Sequence, residues 1–168
     1  ETIKYINLVE PDVLIISSGD TDKWQNPDLD ISCIFKIIDG AKAKNKILVG
    51  THGSVTPDWI FENCKADFVV RGEPELTCFE LVKNLLENSG NFKNIAGMSW
   101  KNNNKISHNQ DRIFDSNLDE YPLPDYESLP MRLYRYTTAD LPGPFSLILS
   151  SRGCPGQCVF CLKKMMPD

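Results

Sequence analysis

Three short, unbroken apolar runs constrain this chain more than any other feature: Val13-Leu14-Ile15-Ile16, Ile47-Leu48-Val49 and Phe68-Val69-Val70. A run of strand length without polar alternation suits a strand covered on both faces, an environment found in parallel sheets flanked by helices. Helical periodicity fills the intervals. Residues 28 to 44 place Ile31, Ile34, Phe35, Ile38 and Ala41 on one stripe. Thr56-Pro57-Asp58 has the cap-then-proline form of a helix start, and that helix ends near Cys64. A further helix runs to Asn88 with Phe79, Val82 and Leu86 on one face and Gly90 closing it. Ahead of the first run, Ile3, Ile6 and Val9 fall at helical spacing until Pro11-Asp12 ends the segment.

Strand and helix alternating over residues 1 to 90 predict an α/β fold: a partial flavodoxin-like (Rossmann-like) parallel sheet with flanking helices. Ligands of such sheets bind beyond the carboxyl ends of the strands. The loops at 17 to 20, 50 to 54 and 71 to 75 meet there, making Ser17, Ser18, Gly50, His52, Gly72 and Glu73 the candidate contacts. Each has a plainer explanation. A histidine between two glycines can cap the next helix, and Glu73 and Glu75 are favoured at a helix start by the exposed amides and the dipole. Cys33, Cys64 and Cys78 fall on predicted helices as small buried apolar residues.

Residues 91 to 143 read as a β-hairpin followed by an extended linker. Ile95 to Trp100 and Lys105 to His108 flank an asparagine-rich turn at 102 to 104, and His108 is expected to be a solvated surface residue. Pro122, Pro124, Pro130, Pro142 and Pro144 then argue against a helix over 118 to 144. From 144 to 168 the chain enters a third region, in which Phe145-Ser146-Leu147-Ile148-Leu149 has the composition of a strand.

Half of the six cysteines lie in that last region. Cys154, Cys158 and Cys161 form a Cys-x3-Cys-x2-Cys run in which Gly153, Pro155 and Gly156 supply tight turns. Three converging thiolates suit a metal cluster. A 4Fe-4S cubane normally takes four, one per iron, so three leave one iron open to a small molecule. A zinc site, a disulfide with a spare thiol, or unliganded surface cysteines are the alternatives. Zinc sites usually pair such an element with more Cys or His downstream, and none follows Cys161.

The run resembles the cluster loop of radical S-adenosylmethionine (radical SAM) enzymes, as does Ser150-Ser151-Arg152-Gly153-Cys154-Pro155 ahead of it. The resemblance implies a 4Fe-4S cluster on Cys154, Cys158 and Cys161, with S-adenosylmethionine chelating the open iron. It implies that Phe160 packs near the adenine and that Phe145 to Leu149 is the first barrel strand. Arg152, Lys163 and Lys164 flank the loop and would moderate the cluster's negative charge, unless they are simply solvated. Gly50-Thr51-His52-Gly53, with Ala66-Asp67-Phe68-Val69-Val70-Arg71-Gly72-Glu73-Pro74-Glu75, resembles the cobalamin-binding domain that precedes many radical SAM barrels. Leu118 to Tyr126 resembles the link between the two. That domain usually has five strands. Two would lie ahead of residue 1, together with the loop whose histidine replaces the cofactor's own base in some members, so neither His52 nor His108 takes that role.

At 168 residues, 41% hydrophobic and 24% charged, the composition is that of a globular chain. A net charge of −5 argues against a nucleic-acid surface. No apolar run reaches the length of a membrane span. Cysteine usage without a secretory signal points to a reducing cytoplasm. The expected partners are therefore small molecules: substrate, cofactors and an electron donor for the cluster. The expected chemistry is methyl transfer or radical cyclisation, with a flavodoxin-like binding module or a structural zinc protein as alternatives. Because a complete barrel needs on the order of 200 residues, this segment is expected to be inactive alone.

Overall fold

The computed structural model describes residues 1–18, 30–102, 105–134, 144–146, 148, 152, 156 and 159–160. The chain falls into two compact units, Glu1–Phe114 and Asp115–Asp168.

In the first unit the described residues form a five-stranded sheet in the order β1 (Val13–Ser17), β2 (Asn45–Val49), β3 (Phe68–Val70), β4 (Met98–Asn102), β5 (Lys105–His108). The first three strands are parallel, with Ile15 beside Ile47 and Leu48 beside Val69. β4 and β5 are antiparallel, with Val69 beside Ser99 and Trp100 beside Ser107. The sheet is thus mixed. The expected hairpin does not stand apart; it supplies the backbone partners that β3 needs along its second edge.

β2 and β3 lack alternation because both faces are covered, whereas β1 at the end of the sheet leaves Ile15 46% exposed, against the two-sided cover expected of its run. Leu48 and Val69 point to one side, where Ile31 and Ile38 of α2 (Ser32–Gly40) and Ile60 and Phe61 of α4 (Pro57–Asn63) meet them. Ile47, Val49, Phe68 and Val70 point to the other, against Leu81 of α5 (Pro74–Leu86), Met98 and Trp100. α1 (Thr2–Val9) seals the outside of α2, and its Ile3 lies where a Cβ on Gly40 would meet Cδ1 at 3.1 Å.

Four local expectations are corrected. α2 ends at Gly40 rather than Lys44, since Ala41 turns extended and Asn7 Oδ1 captures the Lys42 amide at 2.7 Å. The segment after β2 is not a loop but a helical turn, α3 (Thr51–Val55). On α5 the inward residues are Thr77, Cys78, Leu81, Val82 and Leu85, while Phe79 and Leu86 are 67% and 69% exposed. Both stripes have helical spacing, and only packing selects between them. Cys33 is exposed because it lies off the stripe of Ile31, Ile34, Phe35 and Ile38, whereas Cys64 is buried and Cys78 half-buried.

In the second unit, single 3-10 turns at Leu118–Glu120 and Met131–Leu133 interrupt otherwise irregular backbone among the described residues, as five prolines demand. The Arg152 guanidinium stands 5.7 Å from the Tyr121 ring centre, and the Phe145 amide donates to the Tyr134 carbonyl at 3.2 Å. Phe145, Ser146 and Ile148 are outside regular structure; the rest of the expected barrel strand lies outside the described residues.

Candidate functional site at the carboxyl ends of the parallel strands

Hydrogen bonds tie together the ends of β1, β2 and β3. The Ser18 amide and hydroxyl both donate to the Val49 carbonyl, at 2.8 and 3.0 Å. One turn further on, the Ser54 hydroxyl donates to the Gly50 carbonyl and accepts from the Gly72 amide, each at 2.9 Å. Ser18, Gly50 and Gly72 therefore share one edge, next to Ser17 at the end of β1.

Glycine is required there for two reasons. Gly50 has φ 101° and ψ −167°, and Gly72 has φ 74°, conformations that an L side chain resists. Gly53 is buried instead for lack of room: a Cβ would stand 2.8 Å from Val69 Cγ1 and 3.0 Å from Leu48 Cδ2. α3 thereby lies directly on the strand ends. It carries His52, whose carbonyl accepts from the Thr56 amide and hydroxyl at 2.9 and 3.1 Å. The ring atom Nδ1 of His52 is buried without a hydrogen-bond partner. A buried, unsatisfied ring nitrogen is costly unless something completes it.

The turn after β3 is held from the hairpin side. The Arg71 side chain, only 10% exposed, donates through Nη2 to the Asn109 carbonyl at 2.6 Å and to Asp111 Oδ1 at 2.8 Å, and through Nε to that same oxygen at 3.0 Å. Its Nη1 donates to the hydroxyl of Ser99, which is also 2.8 Å from His108 Nδ1. His108 Nε2 lies 3.1 Å from Asp58 Oδ1. These are the residue types of a nucleophilic triad. However, Ser99 is completely buried and its oxygen is held between Arg71 and His108, so no substrate carbonyl can reach it. His108 is exposed at the surface, as expected, with its side chain 40% accessible, yet it is also tied into this network.

Glu73 is the N-cap residue of α5 and makes no side-chain capping bond. Burial pushes the Cys64 thiol up, and burial followed by the Glu75 charge pushes Cys78 up to about 11. Both remain protonated at neutral pH, unsuited to metal ligation. Among the described residues no three His, Cys, Asp or Glu side chains converge as a metal site. Cys154, Cys158 and Cys161 lie outside the described residues. Phe160 belongs to the second unit and is 89% exposed.

No family model matches the chain. An uncharacterized methyltransferase of Pyrococcus horikoshii is 40% identical over 116 residues, which is 68% of this chain and 24% of that protein. The anaerobic magnesium-protoporphyrin IX monomethyl ester cyclase of a Synechocystis strain is 28% identical over 158 residues, 90% of this chain and 29% of its own. Among solved structures, the cobalamin-dependent S-adenosylmethionine radical enzyme OxsB, with aqua-cobalamin and S-adenosylmethionine bound, superposes with a TM-score of 0.51 at 18% identity, over 67% of this chain and 15% of that one. The chain thus shares its fold with the matching part of OxsB and its sequence with both curated relatives. It spans 24% and 29% of the lengths of these curated relatives.

In this chain the strand-end edge contains residues whose roles sequence patterns do not reveal. Ser54 and Gly53 lie within a turn read as loop, and their signal is two small residues just before a helix start. Arg71, Ser99 and Asp58 are far apart in sequence, and nothing in their spacing brings them together.

Proposed function

We propose that this chain is the cofactor-handling part of a cytoplasmic radical SAM enzyme of the cobalamin-binding type, acting on a small-molecule substrate by methyl transfer or by radical cyclisation or rearrangement. One coincidence carries the reading. A glycine-lined strand-end edge with an unsatisfied histidine nitrogen occurs in the same chain as a Cys-x3-Cys-x2-Cys run. The relative called a methyltransferase supports the first reaction type, and the cyclase supports the second.

The residues present fit the groups proposed. At the edge, Gly50 and Gly72 expose backbone without side chains, and His52 Nδ1 is a polar atom that a bound molecule would satisfy. Ser17 and Glu73 would line that bed for cobalamin. The Ser18 hydroxyl is already committed to Val49, so it would shape the edge rather than contact the ligand. Cys154, Cys158 and Cys161 would supply three thiolates to a 4Fe-4S cluster. Such a cluster would supply one-electron reduction of S-adenosylmethionine. Phe160, exposed by 89%, would offer its ring to the adenine.

Anaerobic incubation with iron and sulfide tests the cysteine assignment. A broad visible absorption lost on replacing Cys154, Cys158 or Cys161 by alanine, but kept on replacing Cys33, Cys64 or Cys78, is the expected result. Stoichiometric zinc without that absorption would make the protein a structural zinc carrier. Titration with hydroxocobalamin, read by the corrin spectrum, tests the strand-end assignment. A spectral shift in protein that never forms a cluster would favour the redox-free binding module.

A further inference from the structure

We propose that His108 and Ser99 are positioning residues for the Gly72-Glu73 turn, acting on it through the Arg71 guanidinium; the relevance to a ligand rests on the strand-end reading above. The direction of each hydrogen bond follows from what the groups can do. Arginine only donates, so the Ser99 oxygen accepts from Arg71 Nη1. The Ser99 proton is then free for its other partner, His108 Nδ1, 2.8 Å away. With that nitrogen as acceptor, the ring proton lies on Nε2, where Asp58 Oδ1 stands 3.1 Å away to receive it. The row from Arg71 to Asp58 is then continuous, with Ser99 fully buried and the His108 and Asp58 side chains 40% and 61% exposed at its outer end.

Arg71 immediately precedes Gly72, whose amide donates to Ser54 and joins the β3 turn to α3. Arg71's own amide is bound to the Gly97 carbonyl at 2.7 Å. The guanidinium thus pins the start of the turn to the hairpin, while Ser54 pins its second residue to the strand-end edge. His108 makes no bond to that turn itself, yet it orients the serine that holds Arg71.

Hydrogen exchange of the Gly72 amide in the ligand-free chain reads this directly. His108→Ala should accelerate it by about tenfold or more, with the Leu48 core amide unchanged. His108→Asn should restore protection, because its amide oxygen can accept from Ser99. Nitrogen shifts of wild-type His108 should report the Nε2-H form. Unchanged Gly72 exchange in His108→Ala, equal acceleration at Leu48, or an Nδ1-H ring would overturn the proposal. Hydroxocobalamin titration of the same proteins separates the two claims. Affinity falling with Gly72 protection supports both, and equal affinity of wild type and His108→Ala overturns the positioning. A wild type that binds no corrinoid defeats only the strand-end reading, leaving exchange to decide the positioning.

Discussion

The two ends of the parallel strands are built differently. At the amino ends, Asn45, Asp67, Phe68, Phe92, Trp100 and Lys101 border an open cleft of about 390 Å³. Its rings complete one another: Phe92 packs edge-on to Phe68 at 5.1 Å and lies 6.5 Å from Trp100. Lys101 Nζ reaches the Phe61 carbonyl at 3.4 Å, and Asp67 accepts from the Lys46 amide at 2.9 Å. At the carboxyl ends, Gly50 and Gly72 directly follow β2 and β3 in conformations other residues resist, and His52 Nδ1 has no hydrogen-bond partner. The two ends therefore differ in lining, aromatic rings and charged side chains against glycine backbone. They do not differ in unmet hydrogen bonding, since Asn84 Oδ1 beside the amino-end cleft is also buried without a partner.

The largest expected effect tests how tightly the carboxyl end is packed. Gly53→Val forces a branched side chain between Val69 and Leu48, and urea unfolding should show a loss of about 3 kcal/mol. Lys93→Ala at the rim of the amino-end cleft should stay within about 0.5 kcal/mol. Next comes binding. His52→Ala should weaken hydroxocobalamin affinity by roughly tenfold, whereas Lys101→Ala should leave it within about twofold; the opposite pattern would move the site to the amino end. Differential alkylation at pH 8, read by peptide mass, should label Cys33 faster than Cys64 and Cys78 by roughly tenfold or more, since burial holds the latter two thiols protonated.

The smallest effect is electrostatic. Burial raises the Asp67 carboxyl above its ordinary 3.8, so the fold favours its protonated form. That contribution is complete below the ordinary value and lost as pH rises through the raised one. Asp67→Asn should accordingly be neutral or stabilising by up to about 0.5 kcal/mol at pH 7, keeping the acceptor for the Lys46 amide. The difference should vanish near pH 3, and a variant less stable at pH 7 than wild type would show that the charge is needed.

Much of the first unit was legible before any coordinates. The runs at 13 to 16, 47 to 49 and 68 to 70 became β1, β2 and β3, and the stripe Ile31, Ile34, Phe35 and Ile38 became the buried face of α2. These signals survive because a two-sided sheet leaves no tolerance for polar residues at such positions. Two candidate stripes on α5 were not separable, and the exposure of Phe79 against the burial of Leu81 was settled only by contact with Val70 and Met98.

The sequence by itself determined the strand order along the chain and the three cysteines offered as ligands, because each is written in local spacing and residue type. Tertiary structure alone decided that the hairpin completes the sheet, that Gly53 and Ser54 join two strand ends, and that Asp58, His108, Ser99 and Arg71 form one hydrogen-bonded row. Those residues lie up to 50 positions apart. No local pattern encodes such a meeting. It follows from sheet register, which sets Ser99 opposite His108 and next to Val69, two residues before Arg71.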